Sequence, residues 1–309
     1  MSQKALIVGA GIAGLSLARR LLHLGIRPTL LDRRSRGMSP VSHAFVHRVP
    51  SGTLHAILGD TAIGIGSLAS PRVISGLLTE SLAARGVQPR YGVRIETVDW
   101  ACRTLTVDGA ELGFDILFDA TGTSRAGLRG LPDTCDAVVE AASQASTTLA
   151  FNAEPIDGAS LRSGVYRCRD IGVACLEHAG GARLTAGVRG RDMPASDALC
   201  RLSGRAFGAN LKPAPVDAHK VYAFRELTRL IVTAPDDLPY IAIGDALMQT
   251  DPIHGMGLHA LAAQLEAAEH HIGGSPGGPV SWQAARDGMM TAILPIWQGQ
   301  ILAGTLAAG

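Results

Sequence analysis

Six residues near the N-terminus carry the clearest chemical signal. Gly9-Ala10-Gly11-Ile12-Ala13-Gly14 has the G-x-G-x-x-G spacing of a phosphate-binding turn. The first glycine permits a tight strand-to-helix turn, the second lets backbone N–H groups approach a pyrophosphate, and the third lets the helix pack closely on the sheet. The helix that follows presents a partial positive charge at its N-terminus, so Ile12 and Ala13 join the glycines around an anion. Asp32, followed by Arg33, ends the next apolar run. A carboxylate there can accept hydrogen bonds from both hydroxyls of a ribose. The expected chemistry is dinucleotide binding, with NAD and FAD both open.

Two later segments bear on that choice. Ile241-Ala-Ile-Gly244-Asp245-Ala246 is followed by Asp251-Pro252-Ile253-His254-Gly255-Met256-Gly257 and an apolar helical run. This resembles the second flavin fingerprint of the FAD-dependent aromatic hydroxylases and flavin-dependent halogenases, a superfamily with geranylgeranyl reductase-like members. The resemblance implies that Asp245 binds a ribityl hydroxyl and that Pro252 lines the flavin face. Gly255, Met256 and Gly257 would bring a helix N-terminus to the part of the ring where negative charge gathers on reduction. Asp115-Ile-Leu-Phe-Asp119-Ala-Thr121-Gly122-Thr-Ser124-Arg125 resembles the middle motif of the same family, with Gly122 near the pyrophosphate. Most hydroxylases carry Asp-Gly where this chain has Thr121-Gly122. That departure points to a flavin reduced through a separate reductase, with NAD(P)H as direct or indirect electron donor. Arg48 and Arg72 are candidate cofactor contacts by position in the family, and His47 and His254 are candidate acid–base groups beside the flavin.

What the resemblance implies is an FAD-dependent monooxygenase with non-covalent FAD. It would hydroxylate or epoxidise an aromatic or olefinic substrate through a flavin C4a-hydroperoxide, on a small molecule, a peptide or a protein-borne group. An FAD-dependent reductase or dehydrogenase is the alternative, and an FAD-binding maturation partner is a third. The Trp-x-Trp-x-Ile-Pro signature of tryptophan halogenases is absent.

The elements that must position these residues follow from hydrophobic periodicity. Short apolar runs at 5–8, 28–31, 114–119 and 239–243 read as buried parallel strands. Residues 15–24, 71–85 and 257–271 have helical spacing, with Gly25 and Gly86 as stop signals. Between 135 and 235 the chain changes to short alternating segments at 147–151, 165–168, 172–177 and 183–188, which suggests an antiparallel sheet, with a helix at 196–207. The expected fold is α/β: a three-layer Rossmann-like FAD-binding domain with a parallel sheet, formed by 1–134 and 236–272. An antiparallel β-sheet substrate domain is inserted at 135–235, and C-terminal helices follow at 273–309, anchored by Trp282 and Trp297.

Composition sets the outer limits. The chain has 309 residues, of which 47% are apolar and 18% charged, so it can bury a large core. Its net charge of +1 leaves no electrostatic footprint for nucleic acid. The five cysteines show no CxxC spacing, and no metal site is expected; Glu266 and His270 read as the exposed face of a helix. No apolar run is long enough to span a membrane, and the sequence reads as cytoplasmic with reduced thiols.

Overall fold

The computed structural model describes residues 3–38, 47–62, 68–156, 163–168, 171–178, 181–190, 195–214, 220–252, 255–273 and 281–308. The chain opens with β1 (Ala5–Val8), α1 (Ile12–His23) and β2 (Thr29–Asp32), the strand–helix–strand unit read from the sequence. All four residues of β1 are buried, which is why its sequence is a continuous apolar run without alternation. Helix α1 ends where Gly25 takes a positive φ of 75°. The Gly25 N–H donates to Leu22 O (3.2 Å) and the Ile26 N–H to Leu21 O (2.8 Å), a Schellman stop that needs glycine.

Next come β3 (His47–Arg48), α2 (Ser51–Leu58), β4 (Leu68–Ala69), α3 (Pro71–Ala84) and β5 (Arg90–Tyr91). Ser70 caps α3 by accepting from the Val73 N–H, with Pro71 at the first helical position. A small antiparallel sheet of β6 (Ile95–Asp99), β7 (Thr104–Val107) and β8 (Ala110–Gly113) precedes β9 (Ile116–Asp119). The second part holds β10 (Asp136–Pro155), β11 (Gly164–Cys168), β12 (Ile171–His178), β13 (Gly181–Arg189), α4 (Ser196–Phe207), β14 (Leu211–Pro213) and β15 (Lys220–Thr233). The chain then returns through β16 (Tyr240–Ala242) and β17 (Met248–Gln249) to α5 (Gly257–Gly273) and α6 (Trp282–Ala308).

The parallel sheet has the order β16-β9-β1-β2-β5. Its register sets Val8 beside both Leu31 and Asp119, and Asp119 beside Ala242. Three strands therefore end on one line, and the turns that follow them meet at the carboxyl edge of the sheet, where α/β folds bind ligands. The second sheet runs β11-β12-β13-β10-β15-β17, with β14 also on β10. It is antiparallel throughout and has its own core, in which Phe151, Val173 and Leu184 pack with Leu199 and Phe207 of α4.

Two features go beyond the sequence reading. β17, from the segment expected to belong only to the FAD unit, forms an edge of the antiparallel sheet through Thr228–Gln249 pairing. The C-terminal segment is one helix, α6, with Pro295 inside it. Its buried stripe Ala285, Met289, Ile293, Trp297 repeats every four residues, and Trp282 and Trp297 both join the main core. Among the described residues no helix is long and apolar enough to cross a membrane.

Candidate functional site

The three glycines of the first turn have three different environments. Gly9 has φ +105°, and a Cβ there would come closer than 3.0 Å to the Ala120 carbonyl; at Gly14 it would collide with the carbonyl of Gly9. Both positions exclude any side chain. At Gly11 a Cβ would meet nothing within 4 Å, and φ is an ordinary −77°. The fold does not need glycine at position 11, so the requirement comes from what lies outside it. No side chain caps α1 and no acidic residue stands in its first turn, so the N-terminal N–H groups of the helix carry its partial positive charge without a capping side chain.

Asp32 is buried and fixes this turn from the side. Its carboxylate accepts from the Ala10 N–H (2.7 Å) and from the Arg34 N–H (2.8 Å). The Arg34 guanidinium adds bonds of 2.9 and 2.6 Å. Burial opposes ionisation, but the Arg34 and Ala10 bonds outweigh it and hold the Asp32 pKa below the usual carboxylate range. Arg33, the neighbour singled out from sequence, is exposed; Arg34 makes the contact, because the chain bends after Asp32 and brings both the Arg34 N–H and its guanidinium back onto the carboxylate.

The second turn follows β9. Asp119 is fully buried and accepts from the Thr121 N–H (2.9 Å), the Thr121 hydroxyl (2.6 Å) and the Gly127 N–H (2.8 Å). Thr121 Oγ1 in turn accepts from the Ala126 N–H (2.9 Å). Desolvation raises the Asp119 pKa despite these bonds. Thr121 is thus a structural tie of its own loop. Gly122 has φ +68° with free space in its Cβ direction.

The third turn, Gly244–Ala246, closes on the first. A Cβ at Gly244 (φ +66°) would lie 2.6 Å from Cβ of Ala13, so the two fingerprints touch. The Gly244 N–H donates to Gln264 Oε1 of α5 at 2.6 Å. Asp245 is exposed to water, yet desolvation by the surrounding protein pushes its carboxyl up to about 6, opposed by nearby Arg125. Arg125 locks the second turn to the third by donating to Ala246 O (3.0 Å) and Thr228 Oγ1 (2.9 Å). It occupies the left-handed region at φ 43°, an uncommon state for a non-glycine residue. Arg125 and Gln264 were not picked out from sequence; Arg125 lay inside the middle motif, while Gln264 gave no signal.

Gly255 takes φ +62° and its N–H donates to Pro252 O at 3.1 Å, which turns the chain into α5 after Met256. A Cβ on Gly257 would press on Thr250 Oγ1 at 3.2 Å. The structure thus brings Gly9, Gly11, Ile12, Ala13, Gly14, Gly122 and Asp245 to one edge of the sheet, with Pro252, Gly255, Met256 and Gly257 leading on from Asp245. Arg72 is exposed on the first turn of α3 and takes no part in the bonds joining the three turns. His47 and Arg48 form β3, paired with Ala69 and Leu68, but their side chains lie outside the described residues, as does all of His254. Among the described residues no group of His, Cys, Asp or Glu is arranged to hold a metal.

Known proteins match this architecture. The model of the NAD(P)-binding Rossmann-like domain family matches residues 7–56. No curated protein matches the chain in sequence. Among solved structures, 2-methyl-3-hydroxypyridine-5-carboxylic acid oxygenase is similar with TM-score 0.66 and 15% identity, over 99% of this chain and 91% of that one. CtdE, solved in complex with FAD and a substrate, gives 0.64 and 12% over 99% and 88%. The anhydrotetracycline hydroxylase OxyS from Streptomyces rimosus gives 0.63 and 18% over 100% and 69%. This chain therefore shares its fold with solved oxygenase and hydroxylase structures, among them CtdE, which was solved with FAD.

Proposed function

We propose that the protein is an FAD-dependent monooxygenase acting on an aromatic or olefinic substrate, free or borne on a peptide. The observation that carries this reading is the meeting of two flavin fingerprints, at Ala13 and Gly244, around a glycine whose side-chain space is empty. The fit of FAD follows from the residues. The open N-terminus of α1, with Gly11, Ile12, Ala13 and Gly14, suits a pyrophosphate. Asp32 stands at the adenosine-ribose position, where Arg34 competes for its carboxylate. Asp245, next to the contact of Gly244 with Ala13, suits a ribityl hydroxyl, and Pro252, Gly255, Met256 and Gly257 suit the ring.

Bound FAD, once reduced, would activate dioxygen and deliver one oxygen atom to the substrate. The chain's own contributions are binding, orientation and electrostatics. The uncapped α1 N-terminus neutralises phosphate charge, and the N-terminus of α5 favours negative charge on the ring. Thr121, tied to Asp119 and Ala126, offers no carboxylate toward a nicotinamide donor, in keeping with reduction through a separate reductase.

The test starts from purified protein, which is expected to be yellow and to release FAD on denaturation. Anaerobic NADH or NADPH alone should bleach it slowly or not at all. Reduced protein exposed to isotopically labelled dioxygen should place one labelled atom in an aromatic, olefinic or peptide substrate. Re-oxidation that yields only peroxide across all three classes would refute monooxygenation.

A further inference from the structure

Asp251 is fully buried immediately before Pro252. Its Oδ2 accepts from Gln144 Nε2 (2.5 Å) and its Oδ1 from the Ser146 hydroxyl (2.8 Å). Its backbone N–H donates to Gln300 Oε1 at 2.9 Å. Gln144, Ser146 and Gln300 are all buried. The three partners belong to two remote elements: Gln144 and Ser146 to β10, and Gln300 to α6. The pairing of β10 with β15 slips between Ser143 and Ser146. Gln144 and Ser146 stand two residues apart on β10, and strand residues at that spacing share a face, so both side chains can meet one carboxylate.

We propose that Asp251 is a positioning residue. With Gln144, Ser146 and Gln300 it forms a node that ties the Pro252–Gly257 turn to the antiparallel sheet and to the C-terminal helix. The proposal rests on the flavin reading for its purpose, since that turn would carry the ring and the sheet would face the substrate. Its geometry stands without FAD. Removing Gln144 takes one donor from the buried Asp251 carboxylate, and removing Gln300 takes the acceptor of its N–H, so a change on β10 or α6 is felt at the residue that leads into the turn. The node also makes α6 part of the scaffold of the site, through a residue 49 positions from Asp251 in sequence.

The test uses the full chain with variants on β10 and α6, distant from the turn in sequence, and variants of Asp251 itself. In Gln144→Ala, amide exchange at Asp251 and Gly255 should accelerate roughly tenfold or more, the loss expected when a charge-assisted bond is removed. Amides of β1 and β9 should keep their wild-type rates. Gln300→Ala should accelerate Gly255 as well. Asp251→Asn retains an acceptor for Gln144 and a donor toward the Ser146 oxygen, and should preserve protection where Asp251→Ala loses it. In FAD-loaded protein, the visible circular dichroism of the flavin should change in Gln144→Ala and Gln300→Ala and return to wild type in Asp251→Asn. Unchanged exchange at Gly255 in both remote variants, or uniform acceleration across the parallel sheet, would overturn the node. If exchange behaves as expected but the wild type binds no FAD, the node stands and the flavin reading falls.

Discussion

Replacing Gly11 by alanine should separate ligand binding from folding. Its φ of −77° suits any residue, and a methyl there meets nothing within 4 Å. As an N-cap, alanine is worse than glycine by up to about 1 kcal/mol. The stiffer unfolded chain offsets about 0.4–1 kcal/mol. The net change in stability is therefore within about 1 kcal/mol. The methyl does fill space that a pyrophosphate must enter. Displacing the anion from one backbone N–H removes a charge-assisted bond of about 1.5–3 kcal/mol, or ~10–150-fold in FAD affinity. Gly9 and Gly14 should behave in the opposite way, because a Cβ at either would come closer than 3.0 Å to a backbone carbonyl. Gly14→Ala should cost roughly 3 kcal/mol by overpacking, and Gly9→Ala about 1–2 kcal/mol more from its positive φ. Urea unfolding of the apo-protein and titration with FAD, followed by flavin fluorescence, read the two effects separately. A Gly11→Ala variant that binds FAD like wild type, or that is as unstable as Gly14→Ala, refutes the reasoning.

Three further outcomes are expected. The Asp245 carboxyl rises from 3.8 in the unfolded chain to about 6 in the fold, so its contribution to apo-protein stability is complete below pH ~4 and is lost as the pH rises through ~6. Asp245→Asn should flatten that part of the stability–pH curve and leave the protein at least as stable as wild type at pH ~7; an unchanged curve would contradict the desolvation of Asp245. Asp32 titrates in the other direction: its pKa is depressed, with Arg34 as the leading stabilising partner, so its contribution is present above 3.8 and lost as the pH falls further. Arg34→Ala should shift acid unfolding to higher pH, and an identical acid midpoint would refute the role of that pair. Thr121→Val removes one bond to Asp119 and one from the Ala126 N–H, at a cost of about 1–3 kcal/mol in chemical denaturation; a neutral result would show that Thr121 does not tie its loop.

The parallel strands and the helices packed on them were legible because burial on both faces writes itself as an uninterrupted apolar run, as in Ala5–Val8. Helices α1 and α3 announced their ends through Gly25 and Gly86, whose positive φ the turn demands. Helix α4 was read with its observed bounds, since its apolar face keeps helical period against the second core. β15 escaped notice, and β10 was seen only around 147–151. Val138 and Val139 are adjacent and both exposed, and the slip at Ser143–Ser146 breaks the alternation that marks a strand. The core of the site was legible through its glycines. The choice of Arg34 over Arg33, the bridge made by Arg125 and the Asp251 node were not, because each depends on where a side chain finds its partner. The partners of Arg125, and the two on β10 that Asp251 meets, are more than a hundred residues away in the chain.

The central claim is that the three turns at the edge of the parallel sheet hold FAD. The most direct measurement is the flavin content of purified protein, per chain, before and after denaturation. The account predicts one FAD per chain, bound non-covalently and released intact, with occupancy falling in Gly11→Ala while the fold persists. A colourless, folded protein that takes up no FAD when the cofactor is supplied in excess would contradict it.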